Sequence, residues 1–297
     1  MKLVLHIGAH GTDEGRIAQW IARNETTLRA AGILAPPPRF FLECLSDALD
    51  RGRDEDPVAR EAALLDRLGA GKGAGDGTGQ VIVSAPGLLG SVRDVLAADG
   101  FYVRDVARRL FALRSLFPTA RITLLMAVAA PSQVLPALLP DDPQAQEACV
   151  PVLSDDTLPW ARLAMTIRHH MPQARLRVWR HEDLPQVWPQ VLGDLVGPDA
   201  ALPPAGLLDL AAADLSAEAR LRLERYIARP DHAPRSAGQL RLLCAAFARR
   251  FGTVAPRDRE SDLPPWIRER LRALDAGYGT EWADLAALSG IEAITPA

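Results

Sequence analysis

Residues 3–16, Leu-Val-Leu-His-Ile-Gly-Ala-His-Gly-Thr-Asp-Glu-Gly-Arg, pass from a short apolar run through a turn punctuated by Gly8, Gly11 and Gly15 into the start of an amphipathic helix. Strand, glycine turn and helix in that order make the layout of a phosphate cradle. Glycine lets backbone N–H groups face an anion at a helix start, where the dipole also favours negative charge. A phosphate loop normally follows its glycines with a lysine and a hydroxyl, whereas here Asp13 and Glu14 stand where an anion's charge has to be neutralised. The stretch specifies an architecture more firmly than an activity.

Working outward, Glu14 to Ala31 places Ile17, Trp20, Ile21, Leu28 and Ala31 at helical spacing with Gly32 as a stop, which predicts one helix. Arg39 to Leu49 and Pro57 to Leu68 predict two more. Residues 69–79, Gly-Ala-Gly-Lys-Gly-Ala-Gly-Asp-Gly-Thr-Gly, are almost pure turn material and read as a mobile surface loop. Gln80 to Ser84, Arg121 to Ala130 and Arg175 to Trp179 predict further strands. The second of these is wholly apolar after Thr123, as a strand covered on both faces should be. Val103 to Phe117, Thr157 to Met171 and a segment ending at Val196 predict the intervening helices. Strands alternating with helices at this spacing predict an α/β fold, with a central parallel sheet of about four to five strands flanked by helices. From Ala205 onward the pattern is helical only, with Ser216 capping a helix through Ile227, a second from Ala237 to Phe251 and a last from Pro265 to Leu274. Residues 1–204 therefore read as the α/β core and residues 205–297 as a helical extension packed on it.

The formal net charge is −3 with acidic and basic residues interspersed, so no basic face announces nucleic acid and no basic amphipathic stretch announces a membrane surface. Arginine supplies nearly all the positive charge, the only lysines being Lys2 and Lys72. Lys72 follows no apolar strand and precedes no Ser or Thr, so it is not a phosphate-loop lysine. Cys44, Cys149 and Cys244 are odd in number and widely spaced, which indicates neither a disulfide framework nor a zinc site. The first apolar run is too short for a signal-peptide core, and no run reaches the roughly 18 apolar residues of a membrane span. The reading is a cytoplasmic protein with no metal, no nucleic-acid partner and no membrane span.

Several landmarks together resemble the bacterial sulfotransferase-like family, proteins of the P-loop-related fold that take 3′-phosphoadenosine-5′-phosphosulfate as sulfuryl donor. They are the opening strand-loop-helix with Asn24 and Gly32-Ile33, then Phe117-Pro118-Thr119-Ala120-Arg121-Ile122, then Val178-Trp179-Arg180-His181-Glu182-Asp183-Leu184. The closing segment from Tyr278 through Trp282 to Gly290-Ile291 completes a resemblance that covers most of the chain.

In register with that family's donor loop, the lysine position falls on Gly11 and the paired threonines on Glu14 and Gly15; only Thr12 is retained. The arginine and serine that the resemblance implies for the 3′-phosphate fall on Ala129 and Ala137, neither of which can donate from its side chain. After the second predicted strand, Ser84-Ala85-Pro86 replaces a Ser-x-Glu of the relatives. The resemblance thus implies a sulfotransferase-like protein that has lost its donor, carries no cofactor, and acts through a protein partner or a small anionic ligand. The alternative is an active sulfotransferase with a rearranged site. There Gly8, Gly11, Thr12, Gly15 and Arg16 would hold the donor, and His10 would act as general base toward an acceptor hydroxyl. A nucleoside-triphosphate kinase or hydrolase is a third and more remote reading.

The local alternatives are plainer. The glycines can simply make a tight strand-to-helix connection, and Asp13 and Glu14 can satisfy orphan N–H groups of the helix's first turn, so that the chain caps its own anion site. His6, mid-strand, reads as buried and hydrogen-bonded. In His181-Glu182-Asp183, Asp183 before Leu184-Pro185 reads as a helix N-cap. Tyr226, Tyr278 and the dispersed tryptophans read as core or helix-packing groups.

Overall fold

Alternation along residues 3–7 splits the first strand between two cores: Leu3, Leu5 and Ile7 pack on one side and Val4 on the other. A strand apolar on both faces belongs inside a sheet, and its position there organises the rest. The structure is a computed structural model describing residues 1–51, 56–70, 79–97, 100–103, 105–139, 158–198, 200–203, 205–212, 215–234, 237–252 and 265–296.

The first half of the chain runs β1 (Lys2–Gly8), α1 (Arg16–Arg23), α2 (Glu25–Ala30), β2 (Ile33–Leu34), α3 (Pro38–Arg51), α4 (Pro57–Arg67) and β3 (Gln80–Ser84). Then come α5 (Val92–Val95), β4 (Leu96–Ala97), β5 (Gly100–Phe101), α6 (Val106–Leu116), β6 (Arg121–Val128) and α7 (Pro131–Val134). The second half supplies α8 (Trp160–His170), β7 (Arg175–Arg180), α9 (Leu184–Val196), α10 (Leu208–Ala211), α11 (Ala217–Ile227), α12 (Ala237–Phe251), α13 (Pro265–Ala287) and β8 (Ile291–Ala293).

Six strands form one sheet in the order β2-β3-β1-β6-β7-β8, every pair parallel. Leu3 lies beside Val81 on one flank and Ile122 on the other. Helix α1 packs on the face that also receives α9, α11 and α12, whereas α3, α4, α6, α8 and α13 pack on the opposite face. The connection leaving β1 and those leaving β3 and β6 therefore depart over different faces. The crevice this opens beyond the carboxyl end of β1 is where open α/β sheets place ligands.

The structure corrects the sequence reading at several boundaries. The sheet has six strands, two of them edge strands of two and three residues, too short for periodicity to reveal. The helix expected over Glu14 to Ala31 breaks at Asn24, whose side-chain amide donates to Trp20 O at 2.8 Å and Ala205 O at 2.9 Å. The last helix runs past Leu274 to Ala287, through Gly277 and Gly279. An interior glycine costs about 1 kcal/mol relative to alanine, and burial of Tyr278 and Leu285 further along offsets it. Residues 205–297 supply helices to both faces, and β8 returns to the sheet beside β7. Residues 71–78, with Lys72, lie outside the described residues. No helix among the described residues is long and apolar enough to cross a membrane.

Candidate functional site: the loop after the first strand

The loop from Gly8 to Gly15 leaves the central strand at the crevice. Gly8, Gly11 and Gly15 hold left-handed φ of 107°, 75° and 74°, and Glu14 joins them at 51°. The glycines are a geometric requirement of this turn, since side chains rarely adopt such φ.

Five of the backbone donors that would face an anion are engaged from within the chain. The Asp13 carboxylate accepts from Gly15 N at 3.3 Å and Ile17 N at 3.0 Å, and the Asp13 carbonyl accepts from Arg16 N at 2.9 Å. Ala9 N donates to Ala127 O at 2.9 Å, and His10 N donates to the Tyr102 hydroxyl at 3.0 Å. Thr12 turns its hydroxyl inward onto Ala9 O at 2.7 Å. Asp13 is only 5% exposed, so its carboxylate sits under the helix start as an anion would. Glu14 does not share this role. It pairs with Arg16 at 3.3 Å, with both side chains more than two-fifths exposed. An exposed pair of this kind contributes little stability, but it commits the cation nearest the loop.

His10 is also engaged. The Tyr102 hydroxyl accepts from His10 N at 3.0 Å and is hydrogen-bonded to His10 Nδ1 at 2.8 Å. The Gly90 backbone is hydrogen-bonded to the same ring. Burial lowers the His10 pKa below 6.5 and raises that of Tyr102, so both remain neutral. A general base needs a ring nitrogen turned toward an acceptor hydroxyl. Here Nδ1 faces Tyr102 instead.

Tyr102 reaches the loop from the β4–β5 hairpin with its own φ at 52°, and Trp160 backs it. The Trp160 ring meets Phe101 edge-on at 5.0 Å, and its Nε1 donates to Ala129 O at 3.1 Å. The Ala129 carbonyl is thereby taken. A Cβ built on Gly11 would lie 3.2 Å from Ala137 Cβ, so these two positions lie against each other.

The remaining candidates are tied into the fold. His6 is fully buried, hydrogen-bonded through Nδ1 to Ser84 Oγ at 2.9 Å and stacked on Trp179. Burial lowers its pKa below 6.5, while the charge of Asp13 opposes that shift. Glu182 accepts from Ala130 N at 2.7 Å and from the Tyr278 hydroxyl at 3.0 Å. Asp183 occupies the N-cap position of α9, but its carboxylate is spent on Arg180, at 2.7 and 3.0 Å. Among the described residues no group of three or more His, Cys, Asp or Glu could hold a metal ion. Sequence reasoning missed Tyr102 and the Glu182–Tyr278 bond. Both are long-range contacts with no local spacing to announce them.

Two buried neutral histidines make stability depend on pH. Below pH 6.5 the unfolded chain takes up protons that the native His6 and His10 refuse, so their contribution is present above 6.5 and is lost as pH falls toward their lowered values. His10→Gln lacks one of these groups, and comparing it with the wild type cancels other titrations, including Asp194, which burial pushes up to about 6. The stability gap between the two proteins, measured by urea unfolding, should narrow between pH 7.5 and 5.5. A widening gap would contradict a neutral His10.

No protein-family model, curated protein or solved structure matches the chain.

Proposed function

We propose that this chain is a sulfotransferase-like protein that has given up its sulfonucleotide donor and acts by contact with another molecule. One observation carries the reading: the Asp13 carboxylate takes the N–H groups of Gly15 and Ile17 at the head of α1, where a donor phosphate would have to bind. The other alterations act in the same direction. Tyr102 removes the N–H of His10, Gly11 abuts Ala137, and Arg16 is paired with Glu14. The residues present do not fit the donor, because a second anion brought to this loop meets a buried carboxylate and no free lysine. At about 4 Å, each like-charge contact costs on the order of 1–4 kcal/mol, depending on screening.

The fold supports the lineage half of the reading. A glycine loop at the carboxyl end of the central strand of a parallel sheet is where a phosphate-binding ancestor would have carried its site.

Isothermal titration of the full chain with 3′-phosphoadenosine-5′-phosphate provides the test. No saturable heat is expected up to millimolar ligand. Binding in the micromolar range, abolished by Arg16→Ala, would establish the rearranged active site instead.

A further inference from the structure

Outside the loop, the described surface carries a concave region between α11 and α12. Helix α11 buries Ala219 and Leu223 against the sheet-side core. Residues three or four apart share a helix face, and the face away from that core carries Leu221, Arg222, Arg225 and Tyr226, all exposed. With Phe247 and Phe251 of α12 they line a groove of about 600 Å³. Aromatic contacts make its floor continuous: Tyr226 to Phe247 at 5.7 Å and Phe247 to Phe251 at 5.5 Å, with the Arg222 guanidinium 4.9 Å above Phe251. A second groove of about 460 Å³, past Leu242 and Leu243, shares Tyr226 as its ridge.

The charges at the rim are unequal. Glu218 is held by Arg222 at 2.8 Å, whereas Arg225 and Arg229 make no ion pair among the described residues. Arg225, in the last turn of α11, also suits the helix dipole. Neither that nor any packing need accounts for Leu221 at 47% and Leu242 at 57% exposure beside an aromatic floor. The opposing charge nearby is Asp231, which lies in the second groove.

We infer that this groove docks an acidic amphipathic helix of a partner protein, its apolar side chains on Tyr226, Phe247 and Phe251 and its carboxylates on Arg225 and Arg229. An apolar trough between two helices is the shape that helix-in-groove recognition uses, and the unmatched guanidinium charge selects the sign of the partner. The inference rests on the reading that the chain acts by contact. Nucleic acid could also stack on aromatics beside arginine, but two arginines without an ion pair on one rim do not make the extended basic groove that tracks a phosphate backbone.

The experiment is a selection of random displayed peptides on the full chain, followed by fluorescence anisotropy with the most enriched peptide. Enriched sequences should carry Asp or Glu on one helical face and Leu, Phe or Trp on the other. Affinity should fall by about tenfold or more in Arg225→Glu/Arg229→Glu and in Tyr226→Ala. These side chains are exposed, so unchanged circular dichroism and urea midpoints should show that the variants fold. The inference fails if no acidic amphipathic sequence is enriched, if the peptide binds the charge-reversed variant equally well, or if labelled single-stranded DNA binds the groove more tightly. Such a failure leaves the titration above unaffected, and micromolar nucleotide binding there would remove the premise instead.

Discussion

Gly11→Lys/Glu14→Thr/Gly15→Thr, the triple variant that writes the lysine and paired threonines of a sulfotransferase donor loop into this turn, is expected to lose about 2–4 kcal/mol of stability and to gain no donor binding. Positions 11 and 15 hold φ of 75° and 74°. Forcing a residue with a Cβ into that region costs roughly 1–2 kcal/mol each. At position 11 the added Cβ also meets the Ala137 Cβ at 3.2 Å, a contact that one of the two must give way to relieve. The lysine ammonium would be drawn to Asp13, two residues away, before any ligand arrived. Urea unfolding measures the loss and titration with 3′-phosphoadenosine-5′-phosphate measures the absence of binding. A stable variant that binds the nucleotide would show that only side-chain identity, not loop geometry, had been lost.

Trp160→Ala should have the largest effect of any single change near the loop. Trp160 is fully buried, and truncating such a side chain typically costs about 3–5 kcal/mol. Two further consequences follow from its partners. The Ala129 carbonyl loses its donor, and the hairpin carrying Phe101 and Tyr102 loses the ring that backs it. Tyr102 should then release the N–H of His10, so hydrogen exchange at that amide should accelerate more than at Ala9, which is bonded to the sheet at Ala127. Trp266→Ala is the control: at 44% exposure it should change stability by no more than about 0.5 kcal/mol. Equal effects at the two tryptophans, or unchanged exchange at His10, would contradict the role given to Trp160.

How much of this was legible beforehand depended on distance along the chain. Strands β1, β3 and β6 are largely apolar runs of five to eight residues, and β7 sets Leu176, Val178 and Trp179 among three arginines; all four are long enough to announce themselves. The edge strands β2 and β8 are defined only by their neighbours. Asp13 could be read as a first-turn carboxylate because its partners Gly15 and Ile17 are local. Tyr102 could not, since it meets His10 across 92 positions of sequence from a hairpin with two-residue arms. The reading of Ala129 and Ala137 as missing donor contacts came from the resemblance, while the abutment of Gly11 on Ala137 required the fold. Tyr226, which the sequence reads as a core or helix-packing group, does meet Phe247 of α12, while 37% of its surface stays exposed.

A carboxylate covalently joined to the seat it fills behaves unlike any dissolved competitor. Diffusing ligands leave at a rate and return in proportion to their concentration, but Asp13 is attached two residues from one of its donors and four from the other. Its local concentration is fixed by the chain and does not depend on what is dissolved around it. Dialysis, dilution or a surge of free sulfate therefore cannot vacate the position. Only mutation can, which would make this occupancy a heritable state rather than a regulated one.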